Sequence, residues 1–385
     1  MATVNLSARP PSAGWITGAV WVLLFLALPC NAQTTWTYGA FGDGAYLFAP
    51  NDPADGVFRS RGTAWHVNDF VVNMAGVYAK RPASAGSPWG GELTVHSGKD
   101  DEIFGFSATA PNIAGNRWLR HLGPSNVTYL AGIGKGLAIQ SGVFSSLIGY
   151  DSLYAKDNFN YTRPWGADFT PYLMLGVNAS YPITDRLTGT AFVVNGYWHL
   201  ANANAVLSSG GQIAYAITPR LTIKETVMAG PHQPDSSFGH WRFISDTIVE
   251  RRQERFIIAL NYHVATERVA QAEPTRAWWM AAQLPMQWQA RGPWRIAVRP
   301  EVAWDSSGRW TLAEQTVTAL TSTIEYRQSY RSVGTSIRLE HRVDRSTGPQ
   351  GGFFTDHETV PGVPALTPIQ HLLVLGVVVR LDRAR

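Results

Sequence analysis

Apolar and polar side chains alternate along much of this chain. Between residues 169 and 181, the odd-numbered positions are apolar and most even-numbered positions are small or polar. The segment 294–304 repeats the alternation, with Trp294 and Trp304 at the two ends of its apolar face. Because side chains on a β-strand point alternately to its two faces, the pattern predicts strands with one apolar and one polar face. Such strands occur both in soluble sheets and in membrane barrels.

Segments of this kind recur along the chain, and the connections between them alternate in length. We predict about sixteen strands, within the range of bacterial outer-membrane barrels. They lie at 35–50, 68–81, 88–98, 124–132, 136–143, 168–183, 187–200, 205–218, 221–232, 240–251, 255–268, 276–290, 294–305, 317–328, 332–345 and 370–381. Every second connection is short, whereas those at 51–67, 99–123, 144–167 and 346–369 are longer. Short periplasmic turns and longer external loops are typical of a transmembrane antiparallel up-and-down β-barrel, so we predict this all-β fold.

The N-terminal segment has a different pattern. Arg9 is followed by an apolar run and then by small residues before Gln33. This order is typical of a secretory signal peptide, and the run of about 16 residues is shorter than the ~20 that cross a membrane as a helix. We therefore predict a cleaved signal peptide at 1–32, a transmembrane barrel at 33–385, and a location in the outer membrane of a Gram-negative bacterium.

Charged side chains fall mainly on the face opposite the apolar one, so we expect them to point into the barrel. A charge that faced lipid at mid-depth would cost roughly 2–4 kcal/mol. A barrel of about sixteen strands is also too wide to fill with its own side chains, and we expect its interior to hold water. The predicted pore-lining residues are Arg295, Arg299, Glu301, Glu325, Arg327, Arg338, Glu340 and Arg342.

These charges have two interpretations. The first is a charged wall that sorts solutes, with a weak anion preference because the arginines outnumber the acids and keep their protons near neutral pH. The second is a salt-bridge ladder that only stiffens the barrel. The signs are nearly balanced, and the sequence leaves both interpretations open.

One long loop carries charged residues among aromatic ones. Asp151, Lys156, Asp157 and Arg163 all lie within the connection 144–167. They could belong to a constriction loop that folds into the lumen and narrows the pore. They could equally belong to a surface loop that packs on its neighbours, and the sequence does not decide between the two.

Two segments depart from the alternation, "RFISDTIVE", which alternates poorly, and "LTIKETVMAG", which carries a carboxylate on its apolar face. Glu225 has the same parity as Leu221, Ile223 and Val227, so it would face the lipid. A position at the rim, a β-bulge or a contact between subunits would each explain a carboxylate there. A homo-oligomer is therefore one of the arrangements that the sequence leaves open.

Several ordered blocks between Gly142 and about His232 resemble a known family. They are "GVFSSLIGYDSLYAKDNFNYTRP", "PYLMLGVNASYPITDRL", "VVNGYW", "GGQIAYAIT" and "MAGPH". Their order and spacing resemble those of the β-barrel porins of the OmpL-like type. The resemblance implies a bacterial outer-membrane porin and passive transport, and it names no solute.

Composition and motifs favour no other class. The net charge is only +4 with both signs interspersed, so no nucleic-acid partner is predicted. The histidines are scattered without zinc-site spacing, and neither Gly-x-Ser-x-Gly nor His-Glu-x-x-His occurs. We therefore predict no metal, no cofactor and no enzymatic activity. An energised transporter would need an N-terminal plug domain and a larger barrel.

The sequence thus predicts an outer-membrane porin with a water-filled channel for passive diffusion of small hydrophilic solutes. Its predicted partners are outer-membrane lipid and those solutes. The alternative is a structural or adhesive outer-membrane barrel without an open pore.

Overall fold

Strands dominate the structure of this protein. The computed structural model describes residues 36–103, 112–268, 275–348, 350–360 and 363–384, so the predicted signal peptide lies outside the described residues. The strands are β1 (Thr37–Phe48), β2 (Phe70–Arg81), β3 (Trp89–Ser97), β4 (Leu122–Ala131), β5 (Leu137–Ser145), β6 (Leu173–Pro182), β7 (Leu187–Val194), β8 (Ser208–Thr218), β9 (Leu221–Pro231), β10 (Trp241–Arg252), β11 (Phe256–Glu267), β12 (Ala277–Gln283), β13 (Met286–Gln289), β14 (Trp294–Asp305), β15 (Gln315–Tyr330), β16 (Val333–Thr347), β17 (Phe353–Val360), β18 (Val363–Thr367) and β19 (Ile369–Ala384). Short helical turns lie at Lys99–Glu102, Asn116–Leu119, Ala155–Asp157, Trp165–Asp168 and Phe238–His240. Among the described residues, no helix has the length and apolar content needed to cross a membrane.

The main sheet closes on itself. Neighbouring strands along the chain pair antiparallel, and the last strand, β19, pairs with β1 from Thr37–Ala384 to Phe48–Leu373. β12 and β13 are two parts of one spanning strand, because both pair with β11 and both pair with β14. The predicted antiparallel barrel with sixteen spans is therefore confirmed.

The alternation of side chains separates the lipid face from the lumen. On β16, Ile337 and Leu339 are exposed on the outer face, whereas Arg338 and Glu340 between them are buried inside. Lipid offers no hydrogen bonds, and only a closed sheet supplies every backbone group with a partner. The period-two pattern in the sequence is thus the pattern of a strand between lipid and interior.

Aromatic pairs mark one rim of the outer face. Trp89 packs against Tyr129 with ring centroids 4.7 Å apart, and Trp294 packs against Tyr326 at 5.0 Å. Both pairs lie near the short turns, and such aromatic girdles are typical of outer-membrane barrels. We call the end with the short turns the periplasmic end and the opposite end the external end.

The strand predicted at 187–200 ends at Val194, and two further loop assignments differ from the prediction. The strand predicted at 168–183 begins only at Leu173, because Trp165–Asp168 forms a helical turn and the chain after it stays in the preceding loop. The external connection predicted at 346–369 contains the hairpin β17–β18, which pairs apart from the barrel sheet. In both places the chain follows local contacts instead of continuing the barrel pattern.

A proline interrupts one spanning strand. The strand predicted at 276–290 is divided at Leu284 and Pro285. Proline has no N–H to donate to a neighbouring strand. The backbone hydrogen bonds around it are kept, because Leu284 N–H donates to Pro300 at 3.0 Å and the Pro285 carbonyl accepts from Ala259 at 3.0 Å. The interruption therefore leaves the barrel closed.

The assignment of an outer face to lipid predicts that a charge placed there destabilises the barrel. Leu339 lies near the middle of β16 on the outer face, so Leu339→Arg should lower the free energy of unfolding by roughly 2–4 kcal/mol. Leu207→Arg, in the exposed connection before β8, is the matched control and should change little. Denaturant titrations of protein refolded into liposomes measure both. Equal stability of the two variants would contradict the assignment of Leu339 to lipid.

Candidate functional site

The connection between β5 and β6 runs inside the barrel. We call residues 146–172 the lumen loop, which includes the helical turns Ala155–Asp157 and Trp165–Asp168. Although they belong to a loop, Tyr161 and Arg163 have no exposed surface. Their partners, described below, are inward-facing side chains of the barrel. Of the two arrangements left open by the sequence, the structure shows the loop folded into the lumen.

Local hydrogen bonds shape the lumen loop before it meets the barrel wall. The Asn158 side chain accepts from the Ser152 N–H at 2.8 Å and donates to the Ser152 carbonyl at 2.8 Å. Short amide side chains commonly stabilise turns in this way. Arg163 donates to the carbonyls of Tyr161, at 3.1 Å, and of Leu153. The loop therefore has a defined shape of its own.

Most of the predicted pore-lining residues lie beneath this loop. We call six of them, on β14, β15 and β16, the charged wall: Arg299, Glu301, Glu325, Arg338, Glu340 and Arg342. All six are at most 7% exposed. Arg295 and Arg327 share their inward parity but are only partly buried, nearer the periplasmic end. The charged wall thus has inward parity and is covered by protein.

Arg338 binds the backbone of the lumen loop. Its Nη2 donates to the Asn158 carbonyl at 2.8 Å, and its Nη1 donates to the Ala155 carbonyl at 2.9 Å. Its Nε donates to Glu325 at 2.6 Å. A guanidinium offers five donors in a fixed plane. Here Glu325 orients that plane and the loop takes up the remaining donors.

Glu340, two residues after Arg338 on β16, binds the same loop through its N–H groups. Its carboxylate accepts from the backbone N–H groups of Tyr161, at 2.6 Å, and of Thr162, at 3.0 Å. The Thr323 hydroxyl also donates to it, at 2.7 Å. Hydrogen bonds to an ionised acceptor are roughly twice as strong as neutral ones. Glu340 therefore fixes the loop at the point where it crosses the wall.

The remaining members of the charged wall extend this contact. Glu301 accepts from the Trp165 N–H at 2.6 Å and forms an ion pair with Arg342 at 3.0 Å. Arg299 donates to the Thr162 carbonyl at 2.8 Å. The ion pairs that the salt-bridge ladder requires are therefore present. The same charges also bind the lumen loop. Neither the solute-sorting wall nor the salt-bridge ladder, the two interpretations of the sequence, included this role.

The predicted constriction residues divide into exposed and buried ones. Lys156 and Asp157 form an ion pair at 2.8 Å, with side chains 20% and 47% exposed. Asp151 accepts a hydrogen bond from Gln283 on β12. Arg163 is fully buried and makes no contact with the open part of the lumen. The loop therefore presents Lys156 and Asp157 to the interior and keeps Arg163 as an internal support.

Arg163 also meets a carboxyl from another external loop. Asp100 lies 3.7 Å from its Nη2 and accepts from the Ala64 N–H at 2.7 Å. Burial raises the pKa of Asp100 to about 7, and the charge of Arg163 opposes this rise. Two external loops and the lumen loop thus meet around one buried charge pair.

Further buried charges hold the lumen loop, and sequence reasoning missed them. Asp43 on β1 accepts from the Tyr161 hydroxyl at 2.9 Å, and Asp344 on β16 accepts from Trp165 Nε1 at 2.8 Å. Arg61 donates to a carbonyl of the loop at 2.7 Å. Asp344 has the inward parity of the charged wall, which is a usable signal. Arg61 lies in an irregular loop and carries no such signal.

Aromatic residues fill the external part of the interior. Trp310 packs against Tyr197 at 5.8 Å and against Trp279 at 5.4 Å. Arg242 lies over the Tyr197 ring at 4.3 Å and pairs with Glu267 at 2.9 Å. At this level the external loops fold inward, and their side chains pack against those of the barrel strands.

The periplasmic part of the interior is more open and contains charged and amide side chains. A cavity of about 540 Å³ lies there, lined by side chains that include Lys80, Glu92, Thr128 and Gln140. A second cavity, of about 240 Å³, lies between the lumen loop and β10. Water is the solvent that such polar linings require, because an unpaired polar group in an apolar medium is costly.

Positive side chains gather at the same end. We call Lys80, Lys224, Arg295 and Arg380 the cation ring, since each has inward parity near a periplasmic turn. Within the described part of the chain, none of the four forms an ion pair. The inward acids nearby, such as Glu92, are fewer, so a positive surplus is left at this mouth.

No metal centre stands out in the structure. Within the described ranges, no group of histidine, cysteine and acidic side chains has the arrangement to hold an ion.

Solved porin structures have a similar fold. The anion-selective porin from Comamonas acidovorans superposes with a TM-score of 0.57 at 10% identity, over 91% of this chain and 100% of that chain. For the outer membrane channel DcaP of Acinetobacter baumannii the TM-score is 0.56 at 11% identity, over 92% and 99%. For the trimer form of OmpT, an outer membrane protein of Vibrio cholerae, it is 0.55 at 9% identity, over 91% and 100%. At such low identity these similarities show the fold alone.

The family is shown by sequence. No curated protein matches the chain. The family model described as "Putative beta-barrel porin-2, OmpL-like" matches residues 36–381, which is almost the whole barrel. This agrees with the blocks between Gly142 and His232 and with the porin fold of an outer-membrane barrel. The chain therefore belongs to the OmpL-like family of β-barrel porins.

Proposed function

We propose that this porin forms a narrow channel for passive diffusion of small hydrophilic solutes across the outer membrane. The observation that carries the proposal is the cavity of about 540 Å³ at the periplasmic end, where the charged and amide side chains in its lining call for water. A barrel that served only as an anchor would have no need of a wet interior. The packed external end supports the alternative, a structural or adhesive barrel.

The lumen loop acts as the constriction in this proposal. Its contacts with the charged wall are hydrogen bonds between buried charges and backbone groups, for example from Arg338 to Asn158 and from Tyr161 to Glu340. Such contacts have a fixed geometry, so the loop narrows the path at a defined place. Solutes would pass beside its exposed residues, Lys156 and Asp157.

The cation ring sets the charge preference in this proposal. The charged wall is buried and internally paired, so it contributes little field to a passing ion. The cation ring is unpaired and near the mouth, and rings of charged side chains select ions in channels. We therefore keep the predicted weak anion preference but transfer it from Arg299 and Arg338 to Arg295 and the rest of the ring.

We also propose that copies of this chain associate through β8 to β10. Glu225 faces outward, where its carboxylate accepts from the Ser245 hydroxyl at 2.6 Å and from Thr247. An outer concavity of about 480 Å³ beside it includes Val227 and Trp278. A carboxylate facing lipid is unfavourable. A second copy that covers this surface would remove Glu225 from lipid.

Conductance tests the channel and its constriction. Purified folded protein should give conductance steps in planar bilayers. At Gly376 on β19, a Cβ atom would lie 2.5 Å from the Tyr161 ring, so Gly376→Val should displace the lumen loop and give larger steps. Gly42→Val is the matched control, because a Cβ there meets only ordinary contacts. If neither the wild type nor Gly376→Val conducts, the structural or adhesive alternative is favoured.

Reversal potentials in a salt gradient test the cation ring. Replacing Arg295 and Arg380 together by Gln should shift the reversal potential toward cations at low salt. The shift should vanish at 1 M salt, where the Debye length is about 3 Å. Arg291→Gln, in an exposed periplasmic turn, is the control. A reversal potential that stays at the wild-type value in the double variant would rule out the ring as the selective element.

The charged wall should respond differently to substitution. Arg338→Gln removes one of the two arginine partners of the buried Glu325, which keeps Arg327. It also removes the hydrogen bonds from Arg338 to the lumen loop, and a hydrogen bond to a charged group contributes roughly 1.5–3 kcal/mol. We expect lower stability and noisy, enlarged conductance as the loop loosens, with little change in selectivity. Unfolding titrations and single-channel records measure the two effects. A stable variant with altered selectivity would show that Arg338 faces the conducting path.

Oligomer size tests the proposed subunit contact. Glu225→Lys places a cation in the contact and should reduce the oligomer fraction in native mass spectrometry from mild detergent. Ile337→Lys, on the outer face of β16 away from β8 to β10, is the control for a lipid-facing charge. A wild-type protein that is monomeric under these conditions would exclude the contact.

A further inference from the structure

A cavity beside the lumen loop has the features of a solute-binding site. It measures about 240 Å³ and is lined by Tyr150, Asp151, Asp157, Asn158, Phe159, Asn160, Glu250, Arg252 and Pro285. Pockets for drug-sized ligands measure ~300–1,000 Å³, so this cavity suits a smaller molecule, of about one ring. It lies between the loop and the β10 wall, where the proposed path passes the constriction.

Two aromatic rings line the cavity. Tyr150 and Phe159 pack edge to face with centroids 6.1 Å apart, and both are partly exposed. Burial raises the pKa of Tyr150, so its hydroxyl stays protonated and donates to Glu250 at 2.7 Å. The rings therefore have fixed positions, and they offer apolar surface to a ligand with a C–H face.

Hydrogen-bond acceptors outnumber free donors around these rings. Asn160 is 1% exposed and uses its Nδ2 on Thr323 at 2.7 Å, while its Oδ1 accepts no hydrogen bond from the described residues. Arg252 donates to both oxygens of Glu250, at 3.2 Å and 3.0 Å, and leaves part of this planar pair open to the cavity. A ligand that fits this lining brings several hydroxyl donors.

The charges at the cavity largely cancel. Glu250 pairs with Arg252, and Asp157 pairs with Lys156 at 2.8 Å. Asp151 accepts from Gln283, and burial raises the pKa of its carboxyl, which the charge of Arg299 opposes. The lining therefore has little net attraction for an ion of either sign, in contrast to the cation ring at the mouth.

We propose that this cavity is a binding site for a neutral polyhydroxylated solute, such as a monosaccharide, on its way through the channel. The ring of the solute packs on Phe159 and Tyr150, and its hydroxyl groups donate to Asn160 Oδ1 and to Glu250. This inference rests on the proposed channel function, since it names the class of solute that the channel holds at its constriction. Binding itself needs no conduction, so it is measurable separately.

Two measurements with glucose test the inference. Isothermal titration calorimetry of the full protein in detergent measures binding, and current noise in planar bilayers measures transient block. Wild type should show both. Phe159→Leu keeps the bulk but removes the aromatic face, and it should weaken both by about tenfold, which corresponds to ~1.4 kcal/mol. Phe238→Leu, an exposed phenylalanine in an external loop, should leave both unchanged.

The outcomes separate the site from the channel. Glucose binding without any conductance would support the site and overturn the channel. Conductance without glucose binding or block would overturn the site and leave the channel. Block by choline but not by glucose would show that the acids and aromatic rings hold a cation, which also overturns this proposal. Phe159→Leu could also displace the loop, which enlarged conductance steps would reveal. In that case Tyr150→Leu, which removes the other aromatic face of the cavity, decides: retained glucose binding in this variant would overturn the site.

Discussion

The contact between the charged wall and the backbone of the lumen loop determines how the interior of this barrel is organised. A buried charge is tolerated only when it is paired and hydrogen bonded. Here the barrel supplies the charges, and the loop supplies the N–H and carbonyl groups that compensate them. Arg338 and Glu340 lie two residues apart on the inner face of β16, where Arg338 binds carbonyls of the loop and Glu340 binds its N–H groups. The loop and wall therefore depend on each other.

This mutual dependence explains why the two ends of the interior differ. Where the loop covers the wall, charges are used for structure and water is excluded. Beyond the loop, Lys80 and Arg380 have no such partner among the described residues, so their charge acts on the lumen. The same residue type thus serves as a support at one depth and, in the proposed channel, as an electrostatic filter at another. Which role it takes depends on whether loop backbone lies within reach.

Much of the fold was predictable, because a strand between lipid and lumen must alternate. The bounds of β14 were predicted without error, and Leu339 and Arg338 were assigned to the correct faces. The course of the lumen loop was not predictable. Tyr161 and Trp165 are as compatible with a surface loop as with a buried one until their partners on distant strands are known. The hairpin β17–β18 was not predicted either, because the alternation of apolar and polar residues in it is short and irregular.

The closure of the barrel by its first and last strands has a consequence for the order of assembly. The ladder between β1 and β19 joins residues from opposite ends of the chain, as in the pair of Thr37 with Ala384. Contacts between such distant positions form slowly, because a long loop must be closed first. Until β19 arrives, every intermediate has two unpaired edges that would bind another chain as readily as their own. Completion of the barrel is therefore a single late event, and the lumen loop gains its full set of partners only then.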